Sequence, residues 1–170
     1  MNILAIGSHW DDIELGCSLT LKKLKEKGHE IFTVVVCSSQ YGKNEDEGMK
    51  EDDALECGLK SFDIIGANYI PTEKEPNSKL VYNKKIMQDM EIIASNKKID
   101  CVFTHWFGDV NTDHKTTWEI SRTAFRNVKN FFMYQSNSYS DNVNSFKPNY
   151  YFSFSNEEYK IKEKLLSQYI

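Results

Sequence analysis

The stretch AIGSHWDDIELGC (residues 5–17) begins as a buried strand and then sets His9, Asp11 and Asp12 within four positions, where a helix should start. An apolar strand running through a polar corner into a helix opens a βαβ unit, and the rest of the chain repeats that alternation. Asn2–Ile6 reads as a short strand. Glu14 to Lys27 reads as a helix with Leu15, Leu19 and Leu24 on one side, closed by Gly28. IFTVVVC (31–37) is apolar almost throughout, as a strand covered on both faces should be. After the polar loop SSQYGKNEDEG (38–48) come a helix from Met49 to about Lys60, a short strand near Asp63–Tyr69, a Pro-containing loop and a helix over Tyr82–Asn96. Ile99–His105 is the next strand and His114–Val128 the next helix. FFMY (131–134) and YYFSF (150–154) read as two further strands. Ser155 followed by Glu158 is a capping-box signal that opens a last helix, Asn156–Gln168. Right-handed crossovers then predict one α/β domain over residues 1–170, a Rossmann-like three-layer α/β/α fold with a mainly parallel sheet.

Composition narrows the functional classes. The 170 residues are 40% apolar and 27% charged, ordinary for one globular domain with a single good core. A net charge of −4 leaves no basic footprint, so neither nucleic acid nor an anionic membrane surface is expected as a partner. No apolar run reaches about 18 residues, and MNILAIG lacks a charged region ahead of its apolar stretch. An integral membrane segment and a cleaved signal peptide are therefore not expected, and a cytoplasmic location is. Cys17, Cys37, Cys57 and Cys101 are widely spaced, with no C-x-x-C pair. They read as small buried hydrophobes in a reducing compartment.

In open α/β sheets, ligands bind outside the carboxyl ends of the strands where strand order reverses. A sheet ordered 3-2-1-4-5 puts that point between the first and fourth strands, here between SHWDD (8–12) and HWFGDVNTDH (105–114). Three of the four histidines, His9, His105 and His114, fall in these two loops. Adjacent strands lie about 4.8 Å apart, so side chains from both loops can meet. Two imidazoles and a carboxylate with one open position make a catalytic zinc site, which His9, Asp12 and His114 can supply. Asp11, pointing differently from its neighbours, is then available to take a proton from water. Taken singly, each stretch has a plainer reading: a solvated loop, or acids at a helix N-terminus. Glu14 fits a first-turn helix acid, and His29 a surface corner between helix and strand.

AIGSHWDDIELGCSLTLKKLKEKGHEI (5–31) together with VFTHWFGDVNTDHKTTWEISRTAFR (102–126) resembles the PIG-L/LmbE-like family of metal-dependent N-acetylglucosamine de-N-acetylases. The first stretch is similar to that family's (A/P)-H-P-D-D-x-E-x-x-x-G-G-T-L signature and the second to its D-x-(H/N)-x-D-H block. FKPNYYFSFSNEEYKIKEKLLSQ (146–168) is similar to the F-x-P-x-x-Y-x-D-I block and the helix after it. The resemblance implies His9, Asp12 and His114 as zinc ligands, with iron or cobalt able to occupy the same set. It implies Asp11 as general base and Asp113 as the acid orienting a ligand or catalytic group. The implied reaction is hydrolysis of an N-acetyl group on an amino sugar or glycoconjugate, giving acetate and a free amine. Asn111 stands where many relatives carry an oxyanion-stabilising histidine, with His105 as a nearby helper. Lys50 falls near a substrate-binding arginine position, and Trp10 replaces the usual proline. Trp10, Trp106 and Phe107 suit the apolar faces of a sugar ring, and Tyr41 could line the same crevice. Thr104 reads as a strand-end hydrogen-bonding residue. The last helix ends without a C-cap, and relatives extend beyond it, so a C-terminal extension is expected to be lacking. The resemblance leaves the oligomeric state open. A weakly catalytic metal- or sugar-binding protein on the same fold is the alternative. Dinucleotide binding is disfavoured, because GSHWDDIELG places acids where a pyrophosphate needs bare amides.

Overall fold

The computed structural model describes residues 1–39, 49–136 and 145–169. Five parallel strands form one sheet in the order β3-β2-β1-β4-β5: β1 (Asn2–Gly7), β2 (Glu30–Val35), β3 (Asn68–Tyr69), β4 (Cys101–His105) and β5 (Asn130–Tyr134). Side chains alternate across the pleat, so β1 feeds two cores at once. Ile3 and Ala5 join Ile31, Val35, Phe103, Trp10, Ile13, Leu21, Phe62 and Leu165 on one face. Leu4 and Ile6 join Val34, Val102, Met90, Ile120 and Phe125 on the other. The first face is covered by α1 (Asp12–Gly16), α2 (Ser18–Glu26), α3 (Glu51–Ile65) and α6 (Asn156–Leu166). The second is covered by α4 (Lys84–Asn96) and α5 (Thr112–Ala124). This is the three-layer arrangement expected from the sequence.

Four local expectations are corrected. The helix expected over Glu14–Lys27 is two, broken at Cys17, whose backbone leaves the helical region (φ −144°, ψ 7°). The Leu15 carbonyl freed by the break accepts a bond from Lys162 Nζ at 2.7 Å. The strand expected at Asp63–Tyr69 is helix at its start and strand only at its end. Ala54, Gly58, Ser61, Phe62 and Ile65 are buried at helical spacing, so α3 runs on until Gly66 turns it at φ +81°. Only Asn68–Tyr69 pairs with β2. YYFSF is not a strand, because its rings carry it across the sheet face. Phe132, Tyr150, Phe152 and Phe154 contact one another in series, and Lys23 Nζ bonds the Ser153 carbonyl at 2.9 Å. The fourth correction concerns α5, which starts two residues earlier than expected because Asn111 caps it. The capping box of α6 is present: Glu158 N–H donates to Ser155 Oγ at 3.2 Å, and Ser155 N–H donates to Glu158 Oε2 at 2.7 Å.

Candidate active site

β1 and β4 are neighbours, so their carboxyl ends bring Ser8–Asp12 beside His105. Ser8 N–H donates to His105 Nε2 at 3.1 Å, and the Ser8 and Thr117 hydroxyls meet at 2.7 Å, tying the corner to α5. α1 begins at Asp12, which turns its carboxylate back so that Oδ2 accepts His9 N–H at 2.7 Å. Around that buried carboxylate stand three imidazoles. His9 Nδ1 lies 3.4 Å and His105 Nε2 3.2 Å from Oδ2, and His114 Nε2 lies 3.2 Å from Oδ1. The His105 and His114 rings stack, with centroids 3.9 Å apart and planes 14° apart.

Each of the outer imidazoles is held at its second nitrogen by another buried acid. His9 Nε2 is 3.0 Å from Asp113 Oδ2, and His114 Nδ1 is 2.9 Å from Asp109 Oδ2. Asp113 is itself fixed by the N–H groups of Ser78 (2.7 Å) and Leu80 (3.2 Å). Asp109 accepts Asn111 N–H at 2.9 Å. Asn111 Oδ1 caps α5, accepting from Asp113 N–H (2.9 Å) and His114 N–H (3.4 Å), which leaves its amide N–H₂ as the group able to donate elsewhere.

The charges follow from these contacts. Burial opposes ionisation of Asp12, yet the imidazoles of His105, His114 and His9 hold its carboxyl well below the ordinary carboxylate range. Burial likewise works against protonation of His9, but Asp113 and Asp12 outweigh it and push the ring up to about 10. His114 is pushed up to about 9 against its burial by Asp109 and Asp12. His105, sealed from solvent, is lowered by burial despite Asp12. Its Nδ1 has no hydrogen-bond partner among the described residues.

These residues fit a divalent cation. Donor atoms of His9, Asp12 and His114 all lie within 4.8 Å of one another. The Asp12 carboxylate stands between the two rings, with Oδ2 3.4 Å from His9 Nδ1 and Oδ1 3.2 Å from His114 Nε2. The nitrogens facing Asp12 are those a cation would take in place of two protons. The carboxylates on the far nitrogens fix the ring orientation that ligation requires.

The other residues singled out in the sequence fall as follows. Asp11 is half-buried at the N-cap of α1, directly before Asp12. Trp10 does not face a ligand: its side chain is wholly buried, and its ring packs on Phe62 and Tyr69. Gly58 faces that ring closely enough that a Cβ would overlap it. The Trp10 indole N–H donates to Glu51 at 3.2 Å, and Lys74 Nζ sits 3.9 Å above the ring centroid. His105, read as substrate-facing, is 0% exposed and lies beneath the cluster. Trp106 is buried against Phe107 and Phe146. With exposed Phe107, it lines a cavity of about 620 Å³ beside β5, none of whose walls belongs to the imidazole cluster. Lys50 is exposed at the N-cap of α3. Thr104 bonds Ser121 at 3.1 Å inside the core, while Tyr41 lies outside the described residues.

Sequence reading missed Asp109, which only its place five residues before His114 and the need of a ligating imidazole for a second acceptor could have revealed. It also missed the depth of Glu14. That side chain is fully buried, accepts from Tyr169 Oη at 2.7 Å, and is pushed up to about 8 by burial.

Comparison with known proteins follows the same lines. The family profile described as PIG-L, GlcNAc-PI de-N-acetylase, matches residues 4–125. Over 171 residues the chain is 29% identical to the uncharacterized deacetylase YaiS of Escherichia coli K12, covering 98% of this chain and 89% of that one. The fold matches N,N'-diacetylchitobiose deacetylase from Pyrococcus horikoshii with a TM-score of 0.81 at 20% identity, over 99% of this chain and 69% of that one. It also matches GalB, the 4-carboxy-2-hydroxymuconate hydratase of Pseudomonas putida KT2440, with a TM-score of 0.65 at 17% identity. That match covers 72% of this chain, which spans 55% of GalB's length, so the fold by itself carries more than one chemistry. The profile match runs from β1 through the end of α5 and takes in the whole imidazole and carboxylate cluster: this chain belongs to the PIG-L, GlcNAc-PI de-N-acetylase, family.

Proposed function

We propose that the protein is a metal-dependent hydrolase that removes the N-acetyl group from an N-acetylated amino sugar or its glycoconjugate, releasing acetate. The observation that carries this reading is the convergence of His9, Asp12 and His114 within 4.8 Å, with a carboxylate behind each imidazole. Zinc suits two imidazoles and one carboxylate, and other divalent transition metals can take the same donors. A cation bound there supplies Lewis acidity toward the amide carbonyl and lowers the pKa of water.

The chain's own groups do the rest. Asp11, next to the ligand Asp12 and half-buried, takes the proton of the attacking water and returns it to the departing amine. The Asn111 N–H₂, whose partner oxygen is pinned in the α5 cap, donates to the carbonyl oxygen as negative charge develops there. Asp113 and Asp109 act as positioning residues for His9 and His114. The substrate is a small N-acetylated sugar or glycoconjugate rather than a polyanion, in keeping with the net charge of −4.

The experiment is acetate release from a panel of N-acetylglucosamine conjugates by the zinc-loaded protein. Asp11→Asn should keep the metal and lose turnover, and His114→Ala should lose metal. Metal retained with no acetate from any substrate would overturn the hydrolase reading in favour of a metal- or sugar-binding protein.

A further inference from the structure

Cys37 follows β2 at the carboxyl end of the sheet, where its N–H donates to the Ser8 carbonyl at 2.8 Å and its backbone bridges to Glu75. Its side chain is fully buried and has no part in the reaction proposed above. Its sulfur, a ring nitrogen of His9 and a carboxylate oxygen of Asp113 all lie within 4.8 Å of one another. His9 Nε2 is the nitrogen on this side, 3.0 Å from Asp113 Oδ2. The trio therefore stands across the His9 ring from Asp12 and His114.

We infer that Cys37, Asp113 and Nε2 of His9 form a second cation site, selective for thiophilic divalent ions such as zinc and cadmium, that shares the His9 imidazole with the candidate catalytic centre. One sulfur, one nitrogen and one oxygen donor, with a fourth position for water, is a zinc-type set that magnesium and calcium disfavour. The surroundings are negative. Burial and the charges of Asp113, Asp12, Glu75 and Glu51 hold the Cys37 thiol far above its ordinary value, and the same four carboxylates attract a cation. As the cation binds, the Cys37 S–H and the His9 Nε2–H protons leave to solvent, and bonds from sulfur and nitrogen to the cation replace them. Asp113 then serves the second cation instead of orienting His9, so loading this site inhibits hydrolysis. Only the assignment of His9 Nδ1 to a catalytic cation rests on the proposed function; the Cys37 site needs nothing beyond its own three donors.

The test is titration of the metal-free protein with cadmium, read as bound equivalents and as the ultraviolet charge-transfer band of a cadmium thiolate. The wild type should bind two equivalents, with the band arriving in step with one of them. Cys37→Ser and Cys37→Ala should each bind one equivalent without the band. In activity assays, excess zinc should slow the wild type at concentrations at least tenfold below those needed to slow Cys37→Ser. His114→Ala separates the two readings, because it should lose the other equivalent and keep the thiolate band. If it loses nothing, the catalytic assignment fails while the Cys37 site stands. Absence of the band at two equivalents in the wild type, or its persistence in both Cys37 variants, would overturn the inference.

Discussion

Replacing Asp109 with asparagine tests the link between the carboxylate behind His114 and the metal site. Asp109 is 1% exposed, and its two oxygens have separate tasks: Oδ2 accepts from His114 Nδ1 at 2.9 Å and Oδ1 from Asn111 N–H at 2.9 Å. An amide has one acceptor oxygen where the carboxylate has two. If its oxygen stays on His114, its N–H₂ confronts the Asn111 N–H, and two donors face each other in a buried space. If it flips, the N–H₂ faces Nδ1, which must then accept. That drives the imidazole proton to Nε2, the nitrogen 3.2 Å from Asp12 that a cation would need. Either orientation forfeits one buried hydrogen bond, about 1–3 kcal/mol. Removing such an outer partner of a ligating histidine typically weakens metal binding 10- to 100-fold, which is about 1.4–2.7 kcal/mol. Competition with a chromophoric chelator at pH 7 reads this directly, and circular dichroism checks that the fold persists. Zinc affinity within twofold of wild type in a folded Asp109→Asn protein would refute the reasoning.

His9 and His114 are held protonated in the metal-free protein at pH 7, near 10 and 9 respectively, so uptake of the first zinc equivalent should release close to two protons into a weakly buffered indicator solution; release of none would sink the proposed donor atoms. Because both values lie above the ordinary 6.5, the stability these pairs lend the metal-free protein is complete below 6.5 and is lost as pH rises through 9 to 10. Its melting temperature should fall across that window, and a flat profile would contradict the ion-pair account. Gly58→Ala should destabilise by roughly 1–3 kcal/mol, because the added methyl meets the Trp10 ring. Thermal melting should show part of that loss recovered in combination with Trp10→Phe, and additive losses would count against the contact. Ser155→Ala should cost about 1 kcal/mol through the lost α6 cap, read from urea midpoints.

The sheet was legible because its inner strands are apolar on both faces: ILAI, IFTVVV and CVF read as buried strands in an α/β domain of this length. The meeting of His9, Asp12 and His114 was legible because strand order 3-2-1-4-5 makes two distant corners neighbours. What stayed hidden depends on direction rather than residue type. Trp10 follows the candidate ligand His9 in sequence, but the corner turns its ring into the core through Glu51 and Lys74. Asp63–Tyr69 has an apolar run short enough for a strand, and only the buried positions of α3 show that the helical period persists to Ile65. Asp109 looked like one polar loop residue among several, since no local pattern says which ring it will face.

Tyr169 reaches back to the Trp10 carbonyl and to Glu14, positions 159 and 155 residues earlier in the chain. Contacts of such sequence separation must overcome a large loop-closure entropy before they stabilise the fold. In the unfolded chain Glu14 lies open to water and ionises near 4.5. Once enclosed, the acid holds its proton up to about 8. Folding between those two values therefore takes up a proton, and each step toward alkaline pH across that range makes the enclosure of Glu14 less favourable.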